Sequence, residues 1–119
     1  MDDRPQFRTE LTRPRDGLAV ATIIGEIDLY TAPRLHEVLL QGIAEGAHQV
    51  VVDLSAVTFI DSTALGVLVR SAKQLGPDGG ALHLVCGPGG VRRLIEIAGL
   101  TGVFAMHSTL DEALAALAG

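Results

Sequence analysis

The chain has 119 residues, 48% of them hydrophobic and 19% charged, a single-domain length and composition that exclude disorder and allow one sizeable core. Its net charge of -5 and its 3% aromatic content argue against nucleic acid, which is bound through clustered Lys and Arg and stacked rings. The lone Cys86 permits neither an internal disulfide nor a cysteine metal cage, and with no apolar signal core or membrane-length run the expectation is a soluble cytoplasmic protein away from membranes.

Residues 1–6 are polar and are expected to form a flexible N-terminus, leaving residues 7–119 as a single domain. Phe7 to Leu11 predicts a short edge strand, and Pro14-Arg15-Asp16-Gly17 carries turn signals, so a hairpin leads into the strand-forming run Leu18 to Ile24. Gly25-Glu26-Ile27-Asp28 is expected to end that strand. Pro33 suits a first helical turn, and Leu35, Val38, Leu39 and Ile43 recur on one face until Gly46. Val50-Val51-Val52-Asp53-Leu54 is a compact apolar run typical of a central strand covered on both faces, with Asp53 near its end.

A second helix has Leu65, Leu68, Val69, Ala72 and Leu75 inward, with Arg70, Lys73 and Gln74 on the wetter side. Gly76-Pro77-Asp78-Gly79-Gly80 terminates it. Ala81 to Cys86 predicts a strand, and a glycine-rich turn leads into a helix with Val91, Leu94, Ile95 and Ala98 in phase and Gly99 as its C-terminal cap. Val103 to Met106 predicts the last strand. Thr109-Leu110-Asp111-Glu112 has capping-box spacing ahead of a short final helix.

A hairpin followed by repeated helix and strand units predicts an α/β fold: a small mixed sheet of about five strands with about four helices, its parallel neighbours joined by right-handed crossovers. In open sheets of this class ligands and partners gather beyond the carboxyl ends of the strands. Asp28, Asp53 and the Asp61-Ser62 pair are expected to converge there.

The stretch Phe59-Ile60-Asp61-Ser62-Thr63-Ala64-Leu65-Gly66 organises the rest. An apolar strand stops at an acid and two hydroxyls just before a helix. Capping accounts for one such residue, because a side-chain oxygen accepts from the free N–H groups of the first turn. It does not account for two consecutive hydroxyls followed by small Ala64 and Gly66. Gly66 lies one turn beyond Ser62 on the same face, where a mid-helix glycine costs roughly 1 kcal/mol against alanine. Its missing side chain would let another molecule approach the Ser62 hydroxyl. Pure capping and access to Ser62 both stand as readings of this stretch.

Other motifs carry less. Gly87-Pro88-Gly89-Gly90-Val91-Arg92-Arg93 lacks a Gly-Lys-Ser or Gly-Lys-Thr ending and the dinucleotide fingerprint, so it reads as a strand-to-helix turn. Arg92 and Arg93 oppose the helix dipole and suit solvent or a partner. Asp53 would be the phosphoacceptor of a response-regulator receiver, but that fold needs an acidic pair after its first strand and a lysine after its last, and the only lysine is Lys73 inside a helix. His36, His48, His83 and His107 show no ligand spacing, and the nucleophile elbow Gly-x-Ser-x-Gly is absent. No enzymatic activity, metal or cofactor is expected.

Gly25-Glu26-Ile27-Asp28, Val52-Asp53-Leu54, the block from Phe59 to Gly66 and the helix ending Ala98-Gly99-Leu100 together resemble the STAS-domain anti-sigma factor antagonists, along nearly the whole chain. The Asp-Ser-Thr-Ala-Leu-Gly block is the most specific part, although the family often has Gly where Ala64 stands here. The resemblance implies the STAS fold and a cytoplasmic partner switch. By position, Ser62 is the residue phosphorylated by an anti-sigma factor that is itself an ATP-dependent serine kinase. Asp28 matches the family acid close to that serine, and Asp61, Thr63 and Gly66 belong to the same partner-binding switch. The unphosphorylated protein, expected to be a monomer when free, would hold the anti-sigma factor and release a sigma factor. A phosphatase would reset it, and ATP would belong to the partner. The alternative is a STAS scaffold or ligand-sensing module that is not switched at Ser62.

Overall fold

The computed structural model describes residues 6–118, so the flexible segment expected over residues 1–6 lies, except for Gln6, outside the described residues. In chain order the elements are β1 (Arg8–Arg15), β2 (Leu18–Ile27), α1 (Ala32–Ala44), β3 (Gln49–Ile60), α2 (Ser62–Leu75), a 3-10 turn (Gly76–Asp78), β4 (Ala81–Val85), α3 (Gly90–Ile97), β5 (Ala105–His107) and α4 (Leu110–Leu117). They form the expected α/β architecture. The strands lie in the order β1-β2-β3-β4-β5, with β1 antiparallel to β2 and the other neighbours parallel.

Consecutive parallel strands are also neighbours, so crossovers of one hand bring their connecting helices to one face of the sheet. The larger core lies there. Ile23, Val52, Leu54 and Leu84 from the strands meet Leu35, Leu39, Leu68 and Ile95 from the helices, all fully buried. On the opposite face α4 covers Leu18, Val20, Val51 and Val85 with Ala113, Leu110, Leu114 and Leu117. This second layer explains why Val50, Val51 and Val52 form an unbroken buried run rather than an alternating one. Among the described residues no helix is long and apolar enough to cross a membrane.

Three strands exceed their sequence-based bounds. Pro14 lies within β1 because an edge strand tolerates a residue without an N–H, and the register with β2 shifts between Thr12 and Arg15. β2 passes through Gly25, whose φ of 107° suits only glycine, and continues to Ile27. β3 is one strand of 12 residues that joins the run expected over Val50 to Leu54 to the apolar Phe59-Ile60 expected just before Asp61. Its second half buries only Val57 and Ile60 and pairs with β2 across two register shifts, so it lacks the period of two that marks a regular strand.

The longer β3 corrects the expectation for Asp53. It sits mid-strand, where its Oδ1 accepts from the Ser55 N–H (3.0 Å) and the Ser55 hydroxyl (2.6 Å). It therefore does not join Asp28 and Asp61 at the strand ends. The last strand also moves: it begins at Ala105, since Val103 is an exposed turn residue.

The helix ends follow local chemistry. Gly99 has φ 73°, its N–H donates to Glu96 O and the Leu100 N–H donates to Ile95 O, which are the two bonds of a Schellman motif. Thr109 Oγ1 accepts from the Glu112 N–H, while Glu112 Oε2 accepts from the Ser108 N–H, one residue earlier than in a standard capping box.

Candidate functional site at the start of the second helix

The site forms where β2 and β3 end side by side. Ile27 and Ile60 are partners in register, so Asp28 and Asp61 are the next residues of adjacent parallel strands. The Asp61 N–H donates to Ile27 O at 3.2 Å, tying the two strand ends together.

Asp61 is the N-cap of α2. Its backbone is extended and its Oδ1 accepts from the Ala64 N–H at 3.1 Å, satisfying one of the open donors of the first turn. Capping is thus performed by the acid, which leaves the next hydroxyl out of that role. Ser62 is the first helical residue and is exposed, Thr63 is half-buried, and Ala64 and Leu65 turn into the core.

Asp28 holds the β2–α1 connection. Its Oδ1 accepts from the Tyr30 N–H (2.9 Å), the Thr31 N–H (3.0 Å) and the Thr31 hydroxyl (3.2 Å), and its own N–H donates to Thr31 Oγ1 (2.9 Å). Its carbonyl accepts from the Ala32 N–H at the start of α1. The carboxylate therefore shapes a tight turn that leaves Leu29 and Tyr30 63% and 84% exposed. Phe59, opposite Glu26 and two residues before Asp61, is 47% exposed. Three large apolar side chains on the segments that meet at Ser62 are more than the scattered exposure of an ordinary surface, and aromatics of this kind are enriched at protein interfaces.

The space above Gly66 is occupied. An ideal Cβ placed on this glycine would lie 3.3 Å from Arg70 Nη1, the nearest group among the described residues apart from the chain neighbours and the backbone of the helix itself. A groove of about 240 Å³ separates α1 from α2, with Leu29 and His36 on one wall and Thr63 and Arg70 on the other. Sequence reasoning placed Asp28, Asp61, Ser62, Thr63 and Gly66 at this site and read Phe59 only as the end of an apolar strand; it missed Leu29, Tyr30 and Arg70. The signal for Tyr30 was a lone tyrosine in a polar turn. Arg70 lies two turns beyond Ser62 and one beyond Gly66, a spacing that places all three near one helical face.

Elsewhere the fold brings together two histidines that the sequence separates by 24 positions. His83 on β4 and His107 on β5 stack with ring centroids 5.3 Å apart, with Nδ1 of His83 3.0 Å from Nε2 of His107. His83 Nε2 donates to Gln49 Oε1 at 2.7 Å, so its Nδ1 is the acceptor for His107. Burial, and secondarily His107, hold the His83 imidazole below its ordinary pKa. Among the described residues no group of three or more His, Cys, Asp and Glu side chains has the arrangement of a metal site.

Comparison with known proteins identifies the family. The STAS domain family profile matches residues 11–113. The chain is 36% identical over 116 residues to the anti-sigma-F factor antagonist RsfB of Mycobacterium tuberculosis, covering 97% of this chain and 93% of that protein. It is 41% identical over 76 residues to the anti-sigma-B factor antagonist of Staphylococcus epidermidis, covering 64% of this chain and 70% of the relative. The crystal structure of an anti-sigma factor antagonist from Mycobacterium paratuberculosis superposes with a TM-score of 0.84 at 35% identity over 93% of each chain. The chain belongs to the STAS-domain family of anti-sigma factor antagonists.

Proposed function

We propose that the unmodified protein binds an anti-sigma factor that is also a serine kinase, thereby freeing a sigma factor, and that phosphorylation of Ser62 by that partner ends the binding. The observation that carries this reading is the exposed Ser62 residue at the start of α2, released from capping by Asp61 and following the paired ends of β2 and β3, the segments that expose Leu29, Tyr30 and Phe59. The catalysis belongs to the kinase and its bound ATP. This chain supplies the acceptor: Ser62 Oγ bonds to the γ-phosphorus as the bond from that phosphorus to the β–γ bridging oxygen breaks, ADP departs, and the hydroxyl proton passes to a base of the kinase and on to water. The exchange takes place in the cytoplasm, where ATP and sigma factors are found, and a phosphatase resets Ser62.

The charge change is large enough for a switch. Phosphoserine adds about -1.5 to -2 charge at neutral pH. Against a like charge on the partner at about 7 Å, the repulsion is roughly 1 to 5 kcal/mol for an effective dielectric between 80 and 20. That weakens association about tenfold to a thousandfold or more. Within the chain the helix N-terminus favours the anion by about 0.3–1 kcal/mol, so the fold tolerates the modification.

Incubation of the protein with the anti-sigma factor kinases of its own organism and ATP, followed by peptide mass spectrometry, tests the assignment. One phosphate on Ser62 is expected. Ser62→Ala should bind the kinase and accept none. Binding with no labelling of either protein would instead identify an unswitched scaffold, and labelling of Ser62→Ala would move the site to another hydroxyl such as Thr63.

A further inference from the structure

We infer that Arg70 is a built-in counter-charge for the phosphoryl group on Ser62, an inference that rests on the assignment of Ser62 as the modified residue. Long helical side chains lean towards the N-terminus of their helix, so Arg70 reaches back over the preceding turn. It does so here over Gly66: the guanidinium Nη1 lies 3.3 Å from where a Cβ would stand, closer than an ordinary contact. Cβ positions four residues apart on a helix are about 5–6 Å apart, so the guanidinium rests over the turn that follows Ser62. Ser62 leans the same way, so the gap closes when the flexible Arg70 side chain extends and the phosphoryl group, three bonds beyond Ser62 Cβ at its oxygens, turns back along the helix.

Among the described residues no carboxylate forms an ion pair or hydrogen bond with Arg70. A planar fork of N–H donors matches phosphate oxygens in a way that a lysine ammonium does not. Before modification Arg70 lines the groove between α1 and α2 beside Thr63. After modification it turns onto the phosphate. The switch therefore does two things at once: it adds negative charge at Ser62 and withdraws a cation from the groove.

The test separates this proposal from the identity of the kinase by installing phosphoserine at position 62 during translation of the full chain. The phosphate is then titrated by 31P NMR in the parent, Arg70→Gln, Arg70→Lys and Lys73→Gln. The second phosphate pKa, ordinarily about 6, is expected to lie lower in the parent than in Arg70→Gln by about 0.2–0.7 units, the size of an exposed ion pair. Arg70→Lys should recover part of the shift, and Lys73→Gln, one turn farther from the site, should leave it in place. Equal pKa values in the parent and Arg70→Gln overturn the proposal, as does a Lys73→Gln effect as large as that of Arg70→Gln, which would mean a diffuse field. Kinase labelling that avoids Ser62 refutes the acceptor assignment by itself, whatever the titration gives.

Discussion

At the scale of single residues, Asp61 and Ser62 divide work that the sequence left undivided. Asp61 Oδ1 caps α2 through the Ala64 N–H, so Asp61→Ala is expected to destabilise the fold by about 0.5–2 kcal/mol, whereas Asp61→Asn, an equally good cap, should lose little. Urea unfolding of the two variants checks this; equal losses would assign the effect to the charge. Ser62→Ala, at an exposed position, should stay within about 0.5 kcal/mol of the parent. His83 makes a separate prediction. Its pKa is lowered in the folded protein by burial and by His107, while in the unfolded chain it is near 6.5. Above about pH 6.5 both states hold it neutral and its contribution to stability is complete. As the pH falls below that value the unfolded chain takes up a proton that the folded protein resists, so stability declines through the folded pKa. Unfolding free energy measured from about pH 7 to 5.5 should fall in the parent, and His83→Gln should flatten the slope whatever its absolute stability.

At the scale of elements, the legible parts are those with one repeating physical signal. The apolar stripes at Leu35, Val38 and Leu39 and at Leu65, Leu68 and Leu75 marked α1 and α2, and Thr109 with Glu112 marked the start of α4. The strand end at Phe59-Ile60 was legible, but its continuity with Val50 to Leu54 was not, because register shifts against β2 break the alternation between them, and Asp53 was misplaced for the same reason. The His83–His107 pair depends on β4 and β5 being neighbours, which no local pattern encodes. The position of Arg70 over Gly66 depends on a rotamer. Glycines in the α2–β4 connection likewise look equivalent as letters and differ in three dimensions. A Cβ on Gly80 would meet the backbone oxygen of His48 at 2.1 Å, and neither His48 nor the adjoining β4 backbone can yield without breaking the Ala81 N–H bond to that oxygen. Gly80→Ala should therefore destabilise by at least about 1–3 kcal/mol. Gly76 is right-handed helical and nothing beyond its chain neighbours lies within 4 Å of its Cβ position, but the following Pro77 crowds a Cβ in that conformation, so Gly76→Ala should stay within about 1 kcal/mol of the parent. Thermal unfolding of the pair tests this, and similar midpoints would refute the steric account.

At the scale of the whole molecule, the sheet separates two tasks. One face carries α1 to α3 and the larger core, the other carries α4 on its smaller cluster, and the proposed switch stands at the paired ends of β2 and β3. Nothing in this arrangement requires the fold to change when Ser62 is modified, so release of a partner must come from the surface itself, by charge or by bulk. Ionic strength tells these apart. The Debye length shrinks from about 10 Å at 0.1 M salt to about 3 Å at 1 M, while the volume of a phosphate is unaffected. The protein already carries a net charge of -5, and phosphorylation takes it further from neutrality. If charge expels the partner, the ratio of Kd values for phosphorylated and unmodified protein should fall as salt is raised across that range. Screening is incomplete in a contact from which water is excluded, so the ratio should narrow without reaching one. A ratio independent of salt would mean that the phosphate acts by filling the space a partner side chain needs at Ser62. Trimming Phe59 or Tyr30 to alanine would then ease the clash and restore binding of the modified form, whereas under charge control the same changes remove an apolar anchor and weaken both forms alike.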